Sequence, residues 1–345
     1  MNPAQPVIDV HAHYLPRPLV EAAEREDTRH GIAFSRNERG DLVYVANGQS
    51  FFLTWPNPEE SPDERVAKMD AARVDVQLVS MAPNMHAYDL AGENATTFAR
   101  ETNDDLAELV ATRPDRFRGL AFLPLQDPEA AVAELDRVMD GDGFVGAMVS
   151  TNVNGRLWDD PELFPVLSAA EELDALVFVH PARPRSGDLF PKYHLRNVIG
   201  LPVETTTMVA SLIFGGVLDR LPDLKICLAH GGGYTCFAIG RFDHAASVRH
   251  DAATALPPSD YLRRFHYDTL THSEPALRYV IDTVGPDRVV LGTDYPADMG
   301  VASPVAWIEG LTSLDSDERR LILGGNLSGL LGARLPAAGA GIVSA

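Results

Sequence analysis

Eight short apolar runs recur along the chain, each ending in polar or glycine-rich residues. They are VIDVHAH (7–13), VDVQLVSMAP (74–83), FRGLAFLP (117–124), FVGAMVS (144–150), ALVFVHP (175–181), KICLAHGGG (225–233), FHYDTLTH (265–272) and VVLGTDYP (289–296). Most are rich in Val, Ile, Leu and Phe, as parallel strands covered on both faces require. Helix signals fill the gaps. Residues 95–114 have apolar residues at helical spacing and stop at Pro114, and 127–141 opens on Asp127 and Pro128 and ends at Gly141. Segments 160–174, 205–222 and 274–285 follow the same logic. Eight strands alternating with helices predict an α/β fold of the (β/α)8 TIM-barrel type rather than an open sheet. Residues 1–335 read as one barrel domain, and 336–345 as a flexible tail. The segment from about 30 to 60 breaks the alternation. Its DLVYVANGQSFFLTW stretch predicts a hairpin with an Asn-Gly turn, a small β insertion between strand one and its helix.

Barrel enzymes place their chemistry at the C-terminal ends of the strands. His11 and His13 end the first run, and residues two apart on a strand share a face. His180 ends the fifth run, His230 the sixth and Asp294 the eighth. Taken singly, a His-x-His is more often incidental and a strand-end Asp more often caps a helix. Five titratable groups at one end of four strands are another matter, because burying them needs partners. A metal ion supplies that partner. Imidazole nitrogen with carboxylate suits Zn²⁺, with Mn²⁺, Fe²⁺ and Co²⁺ as alternatives. His30, His86, His194, His244, His250, His266 and His272 read as surface or pocket-rim residues, His194 and His272 standing nearest to a role.

Charge narrows the partners. With 29 basic against 49 acidic side chains the formal charge is −20. Such a surface repels phosphate backbones, so no nucleic-acid partner is expected, and an anionic substrate needs local cations. The two cysteines, Cys227 and Cys236, make no disulfide framework. The N-terminus lacks the charged and apolar regions of a signal peptide, and no stretch approaches ~20 unbroken apolar residues. The expectation is a cytoplasmic enzyme with no membrane partner.

At VIDVHAH, FVHP (178–181), LAHGGG (228–233) and VLGTDYP (290–296) the chain resembles the amidohydrolase-2 family, and the likeness runs from about residue 7 to 332. The resemblance implies one metal ion held by His11, His13, His180 and Asp294. It places His230 beside the metal, as a catalytic residue and not a ligand. It also implies a homodimer, with Arg241 of IGRFDH reaching toward the neighbouring subunit's site. The bridging lysine of two-metal relatives has no counterpart in FVGAMVS. Departures fall on the substrate pocket. The arginine that clamps a second carboxylate in the family's decarboxylases aligns with Leu53, with Arg36 and Arg39 as other candidates. The tryptophan after FVHP is Ala182. Arg183 or Arg185 then stands as a replacement cation for a carboxylate substrate.

The expected reaction is a metal-dependent, non-oxidative decarboxylation of an unsaturated or aromatic hydroxy or amino acid, with Asp294 or His230 delivering the proton. The alternative is a hydrolase of a lactone or amide, or a hydratase, using the same metal and the same His230.

Overall fold

The structure, a computed structural model, describes residues 5–46, 49–53 and 60–336. Twelve strands form two sheets among these residues. The eight parallel ones are β1 (Ile8–Tyr14), β6 (Val76–Met81), β7 (Phe117–Phe122), β8 (Phe144–Val149), β9 (Leu176–Val179), β10 (Lys225–Leu228), β11 (Phe265–Asp268) and β12 (Val289–Val290), neighbours in that order. The sheet curls until its last edge reaches its first. Val10 N donates to Leu291 O at 2.9 Å, and His13 N donates to Tyr295 O at 2.7 Å. The result is an α/β fold around a curled parallel sheet.

Helices fall where the sequence signals put them, including Glu93–Thr112, Pro128–Met139, Phe164–Glu172, Leu201–Phe214 and Glu274–Val284. Asp127 caps its helix by accepting from Ala130 N at 3.1 Å, supplying one of the donors a helix start leaves unpaired. The run Arg196–Phe214 is long and apolar enough to cross a membrane, with mean hydropathy 1.3, and half of it is buried inside the fold. It carries Glu204, buried and bonded to Asn152 and Arg185, which suits a helix packed on the sheet.

Between β1 and β6 the chain first forms a helix, Arg17–Glu24, and then an antiparallel sheet of β2 (Thr28–Arg29), β3 (Ile32–Arg36), β4 (Leu42–Ala46) and β5 (Gln49–Leu53). The Asn47–Gly48 turn lies outside the described residues, as do the side chain of Leu53, Trp55 and most of the tail (337–345).

Inside the curled sheet, Val10, Leu78, Leu120, Met148, Phe178 and Val290 fill one apolar cluster. Fully burying such a side chain contributes roughly 1.5–3 kcal/mol. Leu327, Leu331 and Leu335 of the C-terminal segment close the cluster. Lys225 at the start of β10 and Arg118 at that of β7 donate to Leu330 O (2.8 Å) and Arg334 O (2.7 Å), tying that segment to the strands' N-terminal ends. The other end is left for chemistry.

Candidate metal centre

In β1 the register against β6 shifts between Asp9 and Ala12. A bulge re-aims the residues beyond it. Ile8 and Val10 face the inner apolar cluster, yet His11 and His13, of opposite parity, meet at the mouth, their Nε2 atoms 3.1 Å apart. His180 continues the inward parity of Leu176 and Phe178 past the end of β9. Asp294 continues that of Val290.

All three imidazoles are held by their Nδ1 atoms. His11 Nδ1 donates to Asp268 Oδ2 at 2.7 Å, His180 Nδ1 to Pro181 O at 2.9 Å, and His13 Nδ1 lies 2.9 Å from Ser80 Oγ. Ser80 Oγ donates onward to Ala12 O at 3.3 Å, so it accepts from His13. Each ring therefore turns its Nε2 inward, as ligating histidines do. Asp294 Oδ1 lies 3.3 Å from His11 Nε2 and 3.2 Å from His13 Nε2. Ligands at ~2.1 Å from a tetrahedral ion lie about 3.4 Å apart. His180 Nε2 is buried with no hydrogen-bond partner, an unmet lone pair at that point. One ligand atom from each of His11, His180, His230 and Asp294 falls within 4.8 Å of the others. These residues fit a divalent ion.

Electrostatics favours a cation here. Burial opposes charging His11, but the Asp294 and Asp268 carboxylates outweigh it and lift its pKa to about 10. Burial pushes His13 down to about 4 and His180 well below its ordinary value, leaving both neutral. Burial works against the Asp294 carboxylate, yet His11, His13 and His230 hold its pKa well below the usual range.

His230 lies in the same cluster by distance, whereas the sequence expectation had it beside the ligands and named His13 among them. His230 Nε2 lies 3.7 Å from Asp294 Oδ2, and His230 Nδ1 has no partner. Both His230 and Asp294 adopt left-handed backbone, φ 56°, a conformation that costs non-glycine residues energy and clusters at functional sites. Behind His230 the Gly-Gly-Gly turn is forced. A Cβ on Gly232 would lie 2.6 Å from the Tyr267 ring, and one on Gly233 would lie 2.4 Å from Pro202 O.

Three residues that sequence reasoning passed over organise the centre. Asp268 accepts from His11 with one oxygen and from Gly231 N (2.8 Å) with the other, so it sets both β1 and the His230 turn. Asp9 accepts from Thr293 N (3.0 Å), Thr293 Oγ1 (2.7 Å) and Gln77 Nε2 (3.0 Å). Arg65, buried, bonds Gln77 and His13 O. The sequence signal for Asp268 was its place at the end of the FHYD run, where the other candidates also sit.

A cleft of about 400 Å³ opens beside His230 and Asp294, lined also by Val198, Phe237, Leu270, His272 and Met299. His194 is exposed. Arg183 pairs with Asp89 and bonds Tyr44. Arg185 bonds Glu204 through Nε at 3.2 Å and through its backbone N at 3.0 Å. Arg241 is exposed on the helix Thr235–Val248. Two histidines read as surface or rim residues are in fact buried, His86 at 1% and His266 at 6% exposure.

Among curated proteins, 2-amino-3-carboxymuconate-6-semialdehyde decarboxylase of Dictyostelium discoideum is 35% identical over 94% of this chain and 91% of its own. Among solved structures, 5-carboxyvanillate decarboxylase of Sphingomonas paucimobilis matches with TM-score 0.79 and 28% identity over 95% and 99% of the two chains. A dihydroxybenzoic acid decarboxylase of Polaromonas, solved with manganese and the inhibitor 2-nitroresorcinol, matches with TM-score 0.77 and 25% identity over 95% and 97%. The Amidohydrolase family profile covers residues 8–327, and the chain belongs to that family.

Proposed function

We propose that this protein is a metal-dependent, non-oxidative decarboxylase of an aromatic or unsaturated acid carrying a hydroxyl or amino group. The observation that carries the reading is the inward Nε2 set of His11, His13 and His180 around Asp294, with His180 Nε2 buried and unpaired. The relatives described above are decarboxylases, and they suggest this site's chemistry.

In this reading the sheet is a closed (β/α)8 barrel, residues 1–335 are one domain with the Thr28–Leu53 sheet as an insertion, and the tail is flexible. His11, His13, His180 and Asp294 hold one ion, Zn²⁺ or Mn²⁺. The ion, when bound, supplies Lewis-acid recognition of the carboxylate and of the oxygen or nitrogen beside it. The chain hands the proton on. His230 and Asp294 are the two groups placed to deliver it to the carbon that bears the carboxylate; Asp294, held ionised, would first take that proton from the substrate's hydroxyl or amino group or from water. The C–C bond then breaks, and its electron pair stays on that carbon as CO₂ leaves. The apolar wall of Val198, Phe237, Leu270 and Met299 suits a flat ring. Arg183 and Arg185 are committed to Asp89 and Glu204, so the pocket takes a monoacid in preference to the dicarboxylate of the Dictyostelium relative. Arg241 contributes across a homodimer interface, and the enzyme works in the cytoplasm.

The test is CO₂ release by metal-loaded protein from hydroxybenzoates, aminocarboxymuconate semialdehyde and lactones. A hydroxybenzoate should give the highest kcat/KM. Lactone hydrolysis without CO₂ release from any acid would reject the lyase, and a higher kcat/KM for the semialdehyde would reject the monoacid.

A further inference from the structure

The cleft beside His230 and Asp294 is larger than one ring requires. Its volume, about 400 Å³, falls in the range of pockets that take drug-sized ligands, ~300–1,000 Å³. Among the described residues no lysine or arginine lines it, and Asp294 is its one carboxylate. Nine large apolar side chains stand exposed among the described residues. Five of them, Val198, Tyr234, Phe237, Tyr279 and Met299, line this cleft. Single exposed apolar residues are ordinary, but a cluster of them around one concave site marks binding.

The flat ring proposed above uses Val198, Phe237, Leu270 and Met299. Cys236, Ala276, Tyr279 and Val280 line the same cleft and have no task in that reading. Ala276 and Val280 are four apart on the helix Glu274–Val284, so they share a face, and they span ~6 Å along its axis. Cys236 lies in the first turn of the helix Thr235–Val248. Tyr279 Oη donates to Cys236 O at 3.0 Å, which ties the two helices together and holds both walls in place. Cys236 and Val280 are buried while Ala276 is exposed, so the slot between the helices runs from the interior to the surface. Burial pushes the Cys236 thiol up to about 12, leaving it uncharged. Such a slot gives a charged group nothing in exchange for its water. It favours hydrocarbon, in proportion to the area removed from water.

We infer that the slot lined by Cys236, Ala276, Tyr279 and Val280 binds an apolar arm of the substrate, an alkyl chain or a second ring carried by the acid whose carboxylate meets the metal centre. This rests on the carboxy-lyase reading above and adds to it the size and character of the acid's far end. The slot opens into the same cleft as His230 and Asp294, so one molecule reaches both.

Calorimetric Kd values on the metal-loaded protein test this, with 2-hydroxybenzoate and its methyl, propyl and pentyl derivatives at each free ring position as probes. In one positional series wild type should bind up to ~4-fold tighter per added methylene, the scale of burying one CH₂, and at least ~10-fold tighter from methyl to pentyl. Ala276 is exposed, so a larger side chain there fills the slot without entering the core. In Ala276→Trp the ratio of methyl to pentyl Kd should fall to about one, whatever the absolute affinities. Should that variant fail to fold, Ala276→Glu, which sets a charge beside the arm, is read in the same way. No gain in any wild-type series, or an unchanged ratio in a folded Ala276 variant, overturns the inference. So does a cleft filled by a second copy of the chain, seen when Ala276→Glu turns a dimer into a monomer by light scattering and no wild-type series gains. CO₂ release is followed separately: an intact chain-length gain with no CO₂ from any acid keeps the apolar arm and removes the lyase.

Discussion

The two ends of the curled sheet contrast in what they bury. At the C-terminal mouth, Asp9, Asp268 and Asp294 lie among His11, His13 and His180, linked by hydrogen bonds that cross from β1 to β6, β11 and the segment after β12. At the floor, Leu327, Leu331 and Leu335 close over Val10, Leu78 and Leu120, and the ionisable His266 inside β11 is neutral, burial holding its pKa at about 4. Burying carboxylates and imidazoles costs free energy unless they are paired; burying leucines yields it. The floor stabilises the fold, and the mouth spends part of that stability on holding charge in place. Substitutions at the two ends should therefore separate activity from stability.

The largest effect is expected at the mouth. His180→Ala should lose metal by more than the ~10–100-fold affinity drop typical of outer residues, and CO₂ release with it. Full metal content in that variant would break the contrast, since the unpaired Nε2 would then hold nothing. His230→Ala should keep about its full metal by elemental analysis while activity falls ~10²–10⁴-fold. Metal loss there would make His230 a ligand, as its closeness to His11, His180 and Asp294 permits. Asp268→Asn, which weakens the carboxylate behind His11, should cost ~10–100-fold in metal affinity in a competition titration.

The smallest effect on activity is expected at the floor. Leu327→Ala should lose roughly 2–5 kcal/mol of stability with kcat unchanged below its melting temperature. His266 supplies a pH signature. Its folded pKa of about 4 lies below the ordinary 6.5. Between those values the unfolded chain binds more protons than the folded one. The folded state is therefore fully favoured above pH 6.5 and loses up to about 3 kcal/mol as pH falls toward 4. Urea unfolding across that window should show a shallower acid limb in His266→Gln, and an identical limb would mean His266 is not the group responsible.

How much of this was legible in the sequence depended on whether a signal repeats. The apolar runs and capped helices recur, so their periodicity carries the fold. His11 and His13 were readable as a pair because strand alternation gives the spacing meaning. The bulge between Asp9 and Ala12 was not, since it depends on how β1 pairs with β6. Asp268, Ser80 and Asp9 are single polar residues in apolar strands, and only their cross-strand neighbours give them tasks. His86 and His266 looked exposed because their flanking residues are mixed, and burial is a property of the assembled sheet. The helix Arg17–Glu24 ahead of the Thr28–Leu53 sheet was also unread.

The seam between β1 and the segment after β12 carries a consequence for how the protein is made. Asp294 N donates to His11 O at 2.8 Å and Thr293 to Asp9, joining groups more than 280 positions apart. Contacts between such distant positions form late in folding, because the intervening loop must close first. A nascent chain that has emerged only as far as β11 already carries three of the four proposed ligands and lacks the fourth. The centre is complete only once Asp294 has joined β1, and a chain truncated before Asp294 has no complete site to offer a metal.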